Sequence, residues 1–203
     1  MKKLRISFVT MLAVLAIQPA FGQAALSLGL KGGLNFANIN TSNIGSAYAS
    51  RTGYHVGAFV LVKFAKFGIQ PEIIYSQQGS SVQFSGLNVD TNLSYLNIPV
   101  IAKLYLVGGF NLQVGPQFGF LMSATGPVSS SGGSVTTGDI KSSLTGSDIS
   151  IGIGAGVDLP FGLNFDARYN LGVSDVNNQA GSAAAKNQVF QFSVGYKLIK
   201  KGI

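Results

Sequence analysis

The sequence predicts an all-β chain: an eight-stranded antiparallel up-and-down transmembrane β-barrel, preceded by a cleaved signal peptide. Three observations predict it. Apolar residues recur at every second position in eight separate segments, which is the period of a strand with two unlike faces. Hydrophobic residues make up 46% of the chain and charged residues only 10%, against roughly 25% charged in an ordinary soluble domain. The links between segments alternate strictly between short and long, as they do when strands cross a bilayer back and forth.

The first 22 residues read as an address. Lys2, Lys3 and Arg5 form a basic start, and an apolar run follows from Ile6 to Ile17. Pro19 then breaks the helix, and Ala20 and Gly22 are the small residues that signal peptidase reads. The run is too short for the ~20 residues of a spanning helix. Cleavage is expected after Gly22, leaving 23–203 as one barrel domain. The formal charge of +7 falls to +4 once the three basic residues of the signal peptide are removed. What remains is spread without a basic run, so nucleic acid is not an expected partner. There is no cysteine, which excludes disulfides, thiol catalysis and thiolate metal sites.

The first strand carries Leu26, Leu28, Leu30, Leu34 and Phe36 on one face, with Ser27, Lys31 and Asn35 on the other. The second sets Tyr54, Val56, Val60 and Val62 against His55, Gly57, Phe59, Leu61 and Lys63. The third sets Phe67, Ile69, Pro71, Ile73 and Tyr75 against Gln70, Glu72, Ile74 and Ser76. In the fourth, Leu96 to Leu104 alternate with Asn97, Pro99, Ile101, Lys103 and Tyr105. In the fifth, Phe110 to Phe120 alternate with Asn111, Gln113, Gly115, Gln117 and Gly119. The sixth opposes Ile149, Ile151 and Ile153 to Ser150, Gly152, Gly154, Gly156 and Asp158. The seventh opposes Phe165, Ala167 and Tyr169 to Asn164, Asp166, Arg168 and Asn170, and the last opposes Phe190 to Leu198 to Gln191, Ser193, Gly195 and Lys197. Phe59, Leu61, Ile74 and Ile101 break the polar face, which a narrow barrel filled by side chains tolerates.

Short links are expected at 64–66, 107–109 and 160–162, and long ones at 37–52, 79–92, 123–146 and 174–186. Short turns on one rim place that rim, and both termini, in the periplasm. Phe36, Tyr54, Tyr75, Phe118, Tyr169 and Phe190 fall near the long-link ends of the strands. Phe67, Phe110, Phe161, Phe165 and Tyr196 fall near the short-turn ends. Two such belts suit the two faces of a bilayer. An open sheet in lipid would leave edge N–H and C=O groups unpaired, so the first strand is expected to close on the eighth. Pro71, Pro99 and Pro116 each remove a ladder donor, and they are expected at bulges or at the rim.

Several segments together go beyond alternation. Gly29-Leu30-Lys31-Gly32-Gly33-Leu34-Asn35 opens the barrel, and Gln70-Pro71-Glu72-Ile73-Ile74-Tyr75-Ser76-Gln77-Gln78-Gly79 forms the third strand. Tyr95-Leu96-Asn97-Ile98-Pro99-Val100, Gly115-Pro116, Asp166-Ala167-Arg168-Tyr169-Asn170 and Gly195-Tyr196-Lys197 complete the series. In this ordered set the chain resembles the PorT-like outer-membrane β-barrel family, over nearly all of the mature part. The resemblance implies a small outer-membrane barrel without an assigned activity. The export role of the family's namesake belongs to particular members and is not implied here. The chain departs from the usual terminal aromatic by ending Lys200-Lys201-Gly202-Ile203.

Charges that point into a narrow barrel must be paired, because isolated burial is costly. A network of Glu72 with Lys103 and Arg168 is expected, with a second pairing of Asp166 or Asp158 to Lys197. Such a network reads as a structural plug or as a selectivity filter or proton path. His55 is the only histidine. Lipid A-modifying barrels combine a histidine with serine and an acid, but no turn motif singles out a nucleophile here. No catalytic residue, cofactor or metal ligand is therefore assigned. The expected role is structural or interactive, with long loops displayed outward, either as a solitary barrel or within an envelope or secretion-associated complex. A narrow solute or ion channel is the alternative, with a lipid A-modifying barrel enzyme behind it. Expected partners are outer-membrane lipid and lipopolysaccharide, with other envelope proteins in the complex form and a monomeric barrel otherwise.

Overall fold

The computed structural model describes residues 24–41, 48–84, 87–129, 135–174 and 185–202. The expected signal peptide lies outside these. Among the described residues nine strands form one antiparallel sheet: β1 (Ala25–Thr41), β2 (Tyr48–Phe64), β3 (Phe67–Phe84), β4 (Leu87–Tyr105), β5 (Phe110–Ser129), β6 (Val135–Asp139), β7 (Ser147–Asp158), β8 (Leu163–Gly172) and β9 (Ala185–Gly202). Each pairs with its neighbour in the chain, except that β7 pairs with β5. The ring closes where β1 pairs with β9, from Ala25↔Gly202 to Thr41↔Ala185. No helix is long and apolar enough to cross a membrane among the described residues.

Where eight strands are expected, the ninth is β6, which pairs only with the upper end of β5, from Thr125↔Asp139 to Ser129↔Val135. It lies in the expected 123–146 link. Two other long links are also largely strand. β3 and β4 stay paired as far as Phe84↔Leu87, and β1 runs to Thr41. The backbone ladder is blind to side chains, so it continues past the rim. Alternation fades there because the two faces no longer meet different surroundings. The short links stand as expected, with Ala65 at φ 49° and Gly108, Gly109 and Gly162 at positive φ in the turns.

The alternating faces separate cleanly. Leu30, Val56, Ile73, Val114, Ile153 and Val194 point out of the ring, and Leu30, Val56, Ile73, Val114 and Ile153 are each more than half exposed. Lys31, Asn35, His55, Glu72, Gln113, Asp166 and Arg168 point in and are at most 4% exposed. This is a globular protein's polarity turned inside out. Both aromatic rows are on the outer face, and neighbours within the upper row touch: Phe36 with Phe190 at 6.4 Å and Tyr54 with Tyr75 at 6.3 Å between ring centres. Phe67 and Tyr75 are eight residues apart on β3, about 26 Å along a strand at ~3.3 Å per residue and roughly 20 Å in height at a ~40° tilt.

The prolines sit neither at bulges nor at a rim. Pro71, Pro99 and Pro116 lie inside β3, β4 and β5. Each falls in a gap of its ladder: β2–β3 resumes at Val62↔Ile69 after Phe59↔Glu72, β3–β4 at Ile74↔Asn97 after Pro71↔Val100, and β4–β5 at Ala102↔Val114 after Pro99↔Gln117. Register is the same on both sides of every gap. The missing N–H thus interrupts the bonding without inserting a residue.

Candidate functional site: the charged interior

The interior begins, at the short-turn end, with an apolar layer of Phe59, Leu61 and Tyr105. Directly above lies a layer of opposed charges. Arg168 on β8 reaches across to Glu72 on β3 with both guanidinium arms, Nη1 to Oε2 at 3.2 Å and Nη2 to Oε1 at 3.0 Å. Lys31 on β1 stands between two carboxylates, with Nζ 3.3 Å from Glu72 Oε1 and 3.1 Å from Asp166 Oδ2. Gln70 donates to Glu72 Oε1 at 2.7 Å, and Gln113 donates to Asp166 Oδ1 while accepting from Arg168 at 3.0 Å. Below them Lys103 Nζ lies 3.4 Å from both Asp158 and Asp166, and Lys197 Nζ donates to Asp158 at 2.7 Å.

Every residue expected in the interior network lies in one connected group, but the partners differ in two respects. Lys103 contacts the two aspartates and not Glu72. The β3–β4 register places Lys103 opposite Gly68, four residues from Glu72 along β3, about 13 Å at strand rise. Lys31, which alternation puts on the polar face, takes the place beside Glu72. Its missing signal was cross-ring distance, which no single strand reveals. With Lys31, Lys103, Arg168 and Lys197 against Glu72, Asp158 and Asp166, the group holds four cations and three anions. Leaving one ion of such a buried set unpaired costs several kcal/mol, so the set holds its members together.

Glycine makes the room. β7 offers Gly152, Gly154 and Gly156 inward, and the side chains of β8 lie across them. A Cβ at Gly152 would sit 3.0 Å from Arg168 Cδ, and one at Gly156 would strike Asp166 and the Gln113 amide.

Above the charges lies a polar layer around His55. Asn35 Nδ2 donates to the carbonyls of Tyr54 at 3.1 Å and Gln77 at 2.9 Å, which fixes its amide with Oδ1 towards the imidazole. His55 Nδ1–H therefore donates to Oδ1 at 2.8 Å, and Nε2 accepts from Ser193 Oγ at 2.8 Å. The order serine, histidine, amide is that of a nucleophile with its base. Ser193 is only 4% exposed, however, and the interior is capped above by Leu93, Tyr95, Leu121 and Ala124. Ser193 is thus buried among its neighbours, and the three side chains tie β1, β2 and β9 together. Among the described residues no three of His, Asp and Glu gather as a metal site.

A closed antiparallel sheet with an apolar outer band, aromatic rows at both ends and a charged, filled interior defines an outer-membrane β-barrel. The chain belongs to the family described as outer membrane protein beta-barrel domain, whose model matches residues 18–178, and its place is the outer membrane. Two solved structures share the fold. The attachment invasion locus protein Ail of Yersinia pestis, solved with the heparin analogue sucrose octasulfate, has 13% identity and a TM-score of 0.51, covering 88% of this chain and 99% of that one. Neisserial surface protein A has 14% identity and a TM-score of 0.56, covering 86% and 99%. No curated protein matches the chain.

Proposed function

We propose that the mature chain, released by cleavage after Gly22, is a sealed eight-stranded transmembrane barrel whose work is done by its long hairpins. In this reading β1–β5 and β7–β9 span the outer membrane, β6 decorates a surface hairpin, and the short turns and both termini face the periplasm. The carrying observation is the interior: Lys31, Glu72, Lys103, Asp166 and Arg168 interlock across the lumen at adjoining levels and are each at most 4% exposed. A pathway for solutes would have to break several ion pairs at once, at several kcal/mol. The role is therefore structural or interactive and not catalytic, either alone as a monomer amid lipid and lipopolysaccharide or within an envelope or secretion-associated complex. The third-strand sequence from Gln70 to Gly79 supports a place near the PorT-like proteins. Surface recognition of the kind named for Ail, whose structure holds a heparin analogue, is one form this role can take.

The absence of cysteine gives a clean test. Single cysteines replace Thr136 in β6 and Lys66 in the β2–β3 turn, both exposed. Whole cells are then treated with a membrane-impermeant maleimide. Labelling at Thr136→Cys but not Lys66→Cys supports the orientation, and the reverse contradicts it. Pull-down from outer membranes separates a solitary barrel from a complex subunit.

A narrow channel for ions is the second reading. It is favoured by buried polar atoms without protein partners, among them Arg168 Nε, Gln117 Oε1 and Asn97 Nδ2. Groups like these can be served by water threading past the charged layer.

A further inference from the structure

The short-turn mouth carries an arrangement that the sealed interior does not use. Strand β9 pairs with β1 in steady register up to Gly29↔Lys197 and then shifts, with Leu28 opposite Ile199. Leu198 is the extra residue, so Leu198 and Ile199 both face outward, at 58% and 57% exposure. Without this bulge Lys200 would point outward. With it, Lys200 turns back over the mouth, its Nζ 2.6 Å from the Pro160 carbonyl. Bulges at barrel rims commonly re-aim a side chain in this way.

The result is a cavity of about 300 Å³ walled by Lys63, Lys197, Lys200, Lys201, Tyr105 and Asp158, with Leu61 and Leu159 among its apolar surfaces. Lys63, Lys197 and Lys200 share the inward face with one carboxylate, while Lys201, opposite the outward-facing Leu26, borders the recess from its outer edge. That carboxylate is already engaged: Asp158 accepts from Lys197 at 2.7 Å and from Tyr105 at 2.9 Å, and it lies 3.4 Å from Lys103. Lys63 is held over the Tyr105 ring at 3.9 Å from its centre, an attraction that leaves its N–H donors free. Donors from β2 and β9 thus converge on one recess in which Asp158 is the one carboxylate among the described residues.

We propose that this recess binds a phosphate-bearing anion, the head group of an anionic phospholipid from the adjacent leaflet. A compact anion with several acceptor oxygens suits ammonium groups arriving from two strands. The apolar walls, with Leu198 and Ile199 exposed beside them, suit a head group that stays joined to its chains better than a free ion. The proposal rests on the membrane barrel read above, but not on which rim faces the periplasm.

The mature chain is folded in phosphatidylcholine nanodiscs and titrated with short-chain phosphatidylglycerol and, separately, with inorganic phosphate, while backbone amide shifts are followed by NMR. Saturable shifts confined to the short-turn mouth, around Gly162 and Gly202, are expected with the lipid, at least tenfold tighter than with phosphate. The triple variant Lys63→Gln, Lys200→Gln, Lys201→Gln should weaken the lipid at least tenfold. Lys66→Gln, a lysine of the neighbouring turn outside the recess, should leave it unchanged. Equal affinity for inorganic phosphate would overturn the lipid assignment. Unsaturable shifts, an indifferent triple variant or an equal loss with Lys66→Gln would overturn the site itself. Heat-modifiable gel migration of the same samples reports the barrel separately, so folded protein that fails to bind counts against the recess alone.

Discussion

Arg168 and Glu72 form a two-pronged ion pair across the barrel, joining β8 to β3 at 3.0 and 3.2 Å although 96 residues separate them in the chain. Glu72 also receives Lys31 at 3.3 Å, so one carboxylate serves two buried cations. With four cations and three anions in the group, losing an anion deepens the imbalance and losing a cation relieves it. Glu72→Gln should therefore cost the most, about 3–5 kcal/mol of unfolding free energy. Lys31→Met should cost roughly half as much on the same argument. Urea unfolding in lipid vesicles measures both, and a larger loss for Lys31→Met would contradict the charge count.

The glycines of β7 are room for β8. A methyl group at Gly156 would collide with Asp166, Gln113 and the Phe165 carbonyl, and overpacking of this kind costs about 1–3 kcal/mol. Gly146, in the loop before β7, has nothing within 4 Å of the same methyl group. Gly156→Ala should shift the unfolding midpoint downward while Gly146→Ala leaves it in place. Equal behaviour of the two would show that the space beside Asp166 is not filled as described.

Much of this architecture was legible because a membrane strand has two unlike faces. From Leu26 to Phe36 the period of two marks both the strand and its inward residues, Lys31 and Asn35 among them. The hairpin continuing to Phe84 and Leu87 was not legible, since beyond the rim both faces meet the same surroundings and composition reads as loop. β6 was missed for the same reason. The charged residues of the interior could be named strand by strand, but their partners could not. Pairing depends on register and on the span across the ring, which is how Lys103 came to sit near Asp158 and Asp166 and Lys31 beside Glu72. The prolines misled because a missing N–H was read as an inserted residue or an edge, whereas the ladder simply skips them in register.

The Ser193–His55–Asn35 chain tests the distinction between a nucleophile and a tie. A fluorophosphonate probe should leave Ser193 unlabelled in the folded protein, because its hydroxyl is buried and bonded to His55. Ser193→Ala should cost about 1–3 kcal/mol by leaving His55 Nε2 without a donor. Stoichiometric labelling that is lost in His55→Ala would instead reveal a reactive serine.

Whether the barrel's own charges close it to solutes is read from the current across a planar bilayer holding the folded, heat-modifiable protein. The wild-type chain should show no discrete conductance steps. Steady single-channel steps that disappear in Arg168→Ala would contradict this, and would make the layer of Arg168, Glu72 and Lys31 a filter in place of a plug.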